Sequence, residues 1–197
     1  MNTRILALGI ALLGLGSTAH AVSADAARRG VEGWPEASKL QAESLIGKYG
    51  APDLAKADRL EWINRGPFRK VAVNAVADEG KMVTQTIRYA LPMRTAKAGA
   101  RVGAMTFKSC VVTPDKSERE MTAFCDSEAN GFLALNKADE IMTGREGVSD
   151  AQASFTRDQD LRASGKSTDS SEHLKFKVKA PENKAYSAEY GGYIELD

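Results

Sequence analysis

From Leu60 to Cys125 the chain keeps a hydrophobic period of two, and this property restricts its fold more than any other. Val83, Gln85, Ile87, Tyr89 and Leu91 alternate with Thr84, Thr86 and Arg88 until Pro92. That is the pattern of a half-buried strand, because successive side chains of an extended chain point to opposite faces. Leu60 to Ile63 and Phe68 to Ala75 read as two further strands on either side of Asn64-Arg65-Gly66-Pro67, with Val71, Val73 and Ala75 on one face. Met105 to Val112 and Arg119 to Cys125 read as a hairpin joined by Thr113-Pro114-Asp115-Lys116-Ser117-Glu118.

Helical spacing brackets this run. Ala37, Leu40, Leu45 and Ile46 predict a helix over about 36–48, opened by Pro35 and stopped by Gly50 and Pro52. Phe132, Leu135, Ala138, Ile141 and Met142 predict a second over 127–143, with Asp126 as N-cap and Glu128 favouring the helix dipole. Ser149 and Gln152 form a capping box for a third, weaker helix carrying Phe155 and Leu161. His173 to Ala180 alternates Leu174, Phe176 and Val178 with Lys175, Lys177 and Lys179, which suits an edge strand guarded by lysines. Residues 22–33 read as a flexible lead-in, 95–103 as a loop or single helical turn, and 163–172 as a Ser-rich linker. The expected architecture is α+β: an antiparallel sheet of about five to six strands with helices packed on one face. A single domain over 34–162 would be followed by the linker and by a C-terminal strand and Tyr-rich tail over 173–197.

Residues 1–21 read as a secretory signal. Arg4 supplies the positive start, Ile5 to Leu15 an uncharged apolar run, and Ala19-His20-Ala21 a small-residue cleavage site, so the mature chain would begin at Val22. The apolar run is shorter than the roughly 20 residues a membrane-spanning helix needs. The expected location is the periplasm, with no transmembrane segment in the mature chain. Removal of this segment takes away Arg4 and no acid, which leaves 26 basic residues against 26 acidic ones. Nucleic acid is therefore not an expected partner, since sustained attraction to a polyanion needs a basic excess.

The signal also carries off His20, leaving His173 as the one histidine. No metal site or cofactor is expected, because Cys110, Cys125 and His173 fall short of four zinc ligands and match no zinc spacing. No catalytic motif of the nucleophile-elbow, zincin, P-loop or dinucleotide type is present, and no catalytic residue is assigned. Two cysteines in an exported chain make a Cys110–Cys125 disulfide the default, closing a loop of about 15 residues. A turn at Pro114-Asp115 argues the other way. It pairs Cys110 near Met121 and leaves Cys125 about 13 Å further along the strand at roughly 3.3 Å per residue. A bonded pair and a buried free Cys125 both stay open, with a reactive Cys125 thiol as a third reading.

The densest group of recognition side chains is Trp62, Asn64, Arg65, Phe68 and Arg69 around the Gly-Pro turn, since aromatics and arginines most often anchor interfaces. A core Trp62 beside a solvated basic turn is the competing reading. Tyr186, Tyr190 and Tyr193 suit a chain end pinned to the sheet, and Asp139 and Glu140 a solvated helix face.

Three segments, KYGAPD (48–53), RLEWINRGPFRK (59–70) and EMTAFCDSEANGFLALNKADEIMTG (120–144), resemble a family of small exported bacterial proteins. The resemblance covers about residues 42–160. It implies export and a single fold unit and brings no catalytic activity; Cys125 matches its pattern and Cys110 does not. The helix, the YGAPD stop and the following L-x-W strand also look like the opening of outer-membrane assembly lipoproteins of the SmpA/OmlA type, a likeness of fold alone. The expected function is a periplasmic, non-catalytic binding module for an unknown protein or envelope component. A thiol enzyme built on Cys125 with His173 as base, and a secreted inhibitor or effector of a foreign enzyme, are the alternatives.

Overall fold

The computed structural model describes residues 22–90, 103–166 and 168–178. The expected signal, the loop over 95–103 apart from Gly103, and the Tyr-rich tail lie outside the described residues. Seven strands form one antiparallel sheet: β1 (Leu54–Lys56), β2 (Arg59–Arg65), β3 (Phe68–Asp78), β4 (Lys81–Arg88), β5 (Met105–Phe107), β6 (Cys110–Asp115) and β7 (Glu120–Cys125). Their spatial order is β1-β2-β3-β4-β7-β6-β5. Four α-helices accompany them, α1 (Ala24–Gly30), α2 (Glu36–Tyr49), α3 (Glu128–Met142) and α4 (Val148–Ala163), with a 3-10 turn at Asp169–Ser171. The α+β reading holds, and the strand number rises from five or six to seven.

The two extra strands have local causes. The run 105–112 is bent back by a two-residue turn at Lys108-Ser109, so that Met105 pairs with Val112 and Phe107 with Cys110. The three residues of β1 add to β2 through Leu54 opposite Glu61 and Lys56 opposite Arg59. Hairpin chemistry sets the rest of the register. Gly66 takes φ 56° ahead of Pro67, whose ring fixes a negative φ, and Glu79 and Gly80 both have positive φ. Those are the II′ and I′ patterns that match strand twist.

The expected turn at Pro114-Asp115 is displaced. Pro114 lies within β6 opposite Met121, and the chain reverses over 116–119 instead. Asp115 Oδ1 builds this turn by accepting from the backbone N–H of Ser117 (2.8 Å) and Glu118 (3.1 Å), and Arg119 closes it at φ 55°. Proline is tolerated there because β5 covers only Cys110 to Val112, so the missing N–H of Pro114 faces no ladder partner. The shifted register brings Cys110 opposite Cys125, with Cα atoms 4.2 Å apart and the sulfurs bonded. Of the readings left open, the disulfide is the one the structure contains.

One face of the sheet holds the core. Leu60, Trp62, Val71, Val73, Val83, Ile87, Met121, Ala123, Cys110 and Val112 cluster with the buried residues of all four helices. Ala72, between Val71 and Val73, is buried but stands outside that cluster, as alternation requires of a residue on the other face. Helix α3 lies at the centre and is buried on nearly every side, by Phe132, Leu133, Ala134, Leu135 and Ala138 and by the bonded polar groups of Asn130, Asn136 and Asp139. Its cap is Ser127 rather than Asp126. The Ser127 hydroxyl accepts from Asn130 N–H, while Asp126 accepts from the Asn130 side chain.

Four further expectations are corrected. Residues 22–33 are not a loose lead-in: Ser23 caps α1, and Ala27 and Val31 enter the core. Helix α2 buries Ser38, Ala42, Leu45 and Ile46 and leaves Leu40 exposed, because its turn toward the sheet brings the Ser38 hydroxyl onto Met82 Sδ. Helix α4 starts at Val148 without a side-chain cap, and Gln152 donates instead to Thr106 O on the edge strand β5. The expected linker and terminal strand form a strap across α3. Residues 173–178 make no ladder pairs, and Asn136 replaces a neighbouring strand, donating to Ser170 O and His173 O and accepting from Lys175 N–H. Leu174, Phe176 and Val178 still share a side, packed on the core.

Candidate functional site

The five residues around the Gly-Pro turn divide into two sets. Trp62 is fully buried on the core face of β2 and donates through Nε1 to Gly50 O at 3.0 Å. Phe68 is also fully buried, with its ring 5.0 Å from that of Phe132. Neither can touch a partner of the folded chain, so the aromatic half of the expected recognition group is core. Asn64, Arg65 and Arg69 remain at the surface. Asn64 holds a left-handed φ of 54°, one that asparagine tolerates better than most residues. Arg65 donates to Ile63 O at 2.6 Å and pairs with Asp53 at 3.1 Å. Arg69 pairs with Glu120.

The KYGAPD segment is used up the same way. Lys48 and Tyr49 both bond Glu128 at the start of α3, Gly50 turns the chain at φ 75° and accepts from Trp62, and Asp53 receives Ile63 N–H at 2.7 Å. The residues after Cys125 do likewise. Asn130 bonds Ser109, Asp126 and Arg162; Gly131 lies under Gln85; Asn136 holds the strap; Asp139 accepts from Tyr89 OH at 2.6 Å and pairs with Arg145. Each polar residue in these segments answers an internal demand of the fold.

Titration follows from these contacts. Burial raises the Tyr89 phenol far above the ordinary tyrosine range, and the Asp139 carboxylate that accepts its proton raises it further. Burial pulls the Lys137 ammonium down, but bonds to Glu140 and Glu146 outweigh it and leave the group above its ordinary value. His173 is exposed, with Asp169 and Glu172 each 4.0 Å away. Both sulfurs are buried and bonded to each other, so Cys125 has no thiolate to offer as a nucleophile. Among the described residues no cluster of three or more metal-ligating side chains occurs. No helix among them is long and apolar enough to cross a membrane.

What stands out instead is the second face of the sheet. The register lines up Ile63, Lys70, Thr86, Thr122 and Thr113 in one row across five strands, and Glu61, Ala72, Thr84, Phe124 and Val111 in the next. Thr86 and Thr122 share a hydroxyl–hydroxyl bond of 3.0 Å. Leu54 and Ile63, each 39% exposed, lie at the β1 end. All four helices lie on the opposite face, so no helix among the described residues covers these rows. The sequence does not announce this surface, because the alternation that marks the buried face also marks its opposite, and threonines carry no recognition signal of the kind aromatics and arginines do. No family model, curated protein or solved structure matches the chain.

Proposed function

We propose that the chain is an exported, non-catalytic binding module of the periplasm, which meets a protein or envelope component through the open face of its sheet and the adjoining Asn64, Arg65 and Arg69. The observation that carries this reading is the inequality of the two faces: four helices and the strap on one side, threonines with scattered apolar and charged side chains on the other. The Cys125 disulfide supports the non-catalytic part, since the thiol alternative needs a free sulfur. The signal-like start supports the location.

The test is site-specific photocrosslinking in the producing cell, with the reactive side chain at Thr84 or Thr122 on the face and at Arg157 on α4 as control. One adduct of constant mass from both face positions and none from Arg157 is the expected result. Adducts from Arg157 alone overturn the surface. A purified product still carrying residues 1–21 overturns the location.

A further inference from the structure

We infer that the open face docks an acidic protein surface; this rests on the binding reading above and names the partner's charge. Register places Lys56 and Arg59 side by side, Lys70 beside Thr86, and Arg88 beside Glu120. Of the three carboxylates of this face among the described residues, Glu61 is engaged by Arg59, Glu120 by Arg69, and Asp115, opposite Glu120, by the N–H groups of its own turn. Lys56, Lys70 and Arg88 are left with no ion pair among the described residues. On the helix layer the buried and half-buried charges are paired, Lys48 with Glu128, Lys137 with Glu140 and Glu146, and Arg145 with Asp139. In a chain that is neutral to within one charge, three unmatched cations against the single carboxylate of Asp115 on one layer are a local excess, and a local excess selects partners by complementarity.

The spacing of these cations decides among anionic partners. Lys56 on β1 is level with Asn74 of β3 and Arg88 on β4 with Phe68, so the two stand about 14 Å apart across the sheet and about 20 Å apart along it. Between and beside them lie Ile63, Thr84 and Phe124. Apolar contacts interleaved with separated charges match the surface of a folded protein, whereas a phosphate polymer or bilayer is met by cations gathered into one cluster. A second copy is disfavoured by the same charges, because an isologous pairing of this face would set Lys56, Lys70 and Arg88 against their own counterparts.

The experiment uses the full mature chain and fluorescein-labelled poly-L-glutamate, read by anisotropy at low and moderate salt. Lys70→Glu with Arg88→Glu is expected to weaken binding about tenfold, the scale of two exposed charge contacts. Arg157→Glu on α4 is expected to change it less than about twofold. Unchanged urea midpoints establish that the variants fold. No binding, or equal loss with Arg157→Glu, overturns the inference. So does tighter binding, with the same variant dependence, of heparin or of phosphatidylglycerol vesicles. If photocrosslinks form from Thr84 while the double reversal leaves poly-L-glutamate binding intact, the open face stands as the docking surface and its acidic partner falls. If neither signal appears, both fall.

Discussion

Gln85 is the most exposed point of the physical argument, because the core contains a primary amide that it does not satisfy. The side chain is fully buried on the core face of β4, and neither Oε1 nor Nε2 has a hydrogen-bond partner among the described residues. Its place is made by Gly131 on α3, where a Cβ would stand 1.5 Å from Oε1 and 2.7 Å from Cδ. An amide buried without a partner costs about 1–3 kcal/mol. Gln85→Met keeps the unbranched shape and removes both polar atoms, so it is expected to stabilise by about 1–2 kcal/mol. That corresponds to a rise of roughly 2–8 °C in Tm for a domain of this size. Gly131→Ala supplies the complementary measurement. In the native background the new methyl meets Oε1, and overpacking of about 1–3 kcal/mol exceeds the helix-propensity gain of about 1 kcal/mol, so the variant is destabilised. In a Gln85→Ala background the obstacle is gone, and the same Gly131→Ala is expected to stabilise by up to about 1 kcal/mol. Urea melts of the four proteins close the cycle. A Gln85→Met variant weaker than the parent by more than about 1 kcal/mol would mean that the amide has partners worth keeping. A Gly131→Ala effect of the same sign in both backgrounds would mean that the Gln85 amide is not the obstacle.

Three other outcomes follow from contacts already described. Reduction of Cys110–Cys125, or its replacement by two alanines, is expected to lower stability by about 3 kcal/mol for a loop of this length, read as a fall in urea midpoint. Asn136→Ala removes three bonds to the strap and is expected to cost about 2–4 kcal/mol, with amide exchange rising first in residues 169–176. Tyr89 supplies a pH dependence. Its folded phenol keeps its proton where an unfolded tyrosine loses it, so its contribution is complete below about pH 10 and declines as pH rises further, by about 1.4 kcal/mol per unit. Tyr89→Phe should flatten that limb of the stability curve, and an unchanged slope between pH 10 and 11 would remove Tyr89 as its source.

The parts of the fold that were legible in the sequence are those where one period runs unopposed. Val71 and Val73 on β3, and Val83 and Ile87 on β4, alternate without interruption, and α3 repeats its apolar residues for four turns. The misread parts are those where a side chain takes over the work of backbone. Pro114 marked a turn by its residue type, yet Asp115 made the turn one step later, and a four-residue error in register concealed the disulfide. The alternation of Leu174, Phe176 and Val178 is real, but the bonds that a neighbouring strand would have made come from Asn136. Lys108-Ser109 lacks the glycine or asparagine that announces a two-residue hairpin, so β5 and β6 read as one strand in the sequence. At the expected site, residue type alone suggested contact for Trp62 and Phe68; the end of helix α2 at Gly50 was legible, but not that it packs against β2 so that Trp62 bonds it.

The strap also sets an order of events in time. Helix α3 is enclosed by protein on nearly every side, and among the described residues one of those sides is closed by 168–178, which follow it in the chain. Until they dock, Asn136 lacks the backbone it binds and that side of the centre stays open to solvent. A chain arranged this way cannot finish folding from its first hundred and fifty residues. The polypeptide therefore stays unlocked after its sheet and central helix have formed, and the docking of one short segment decides when that interval ends.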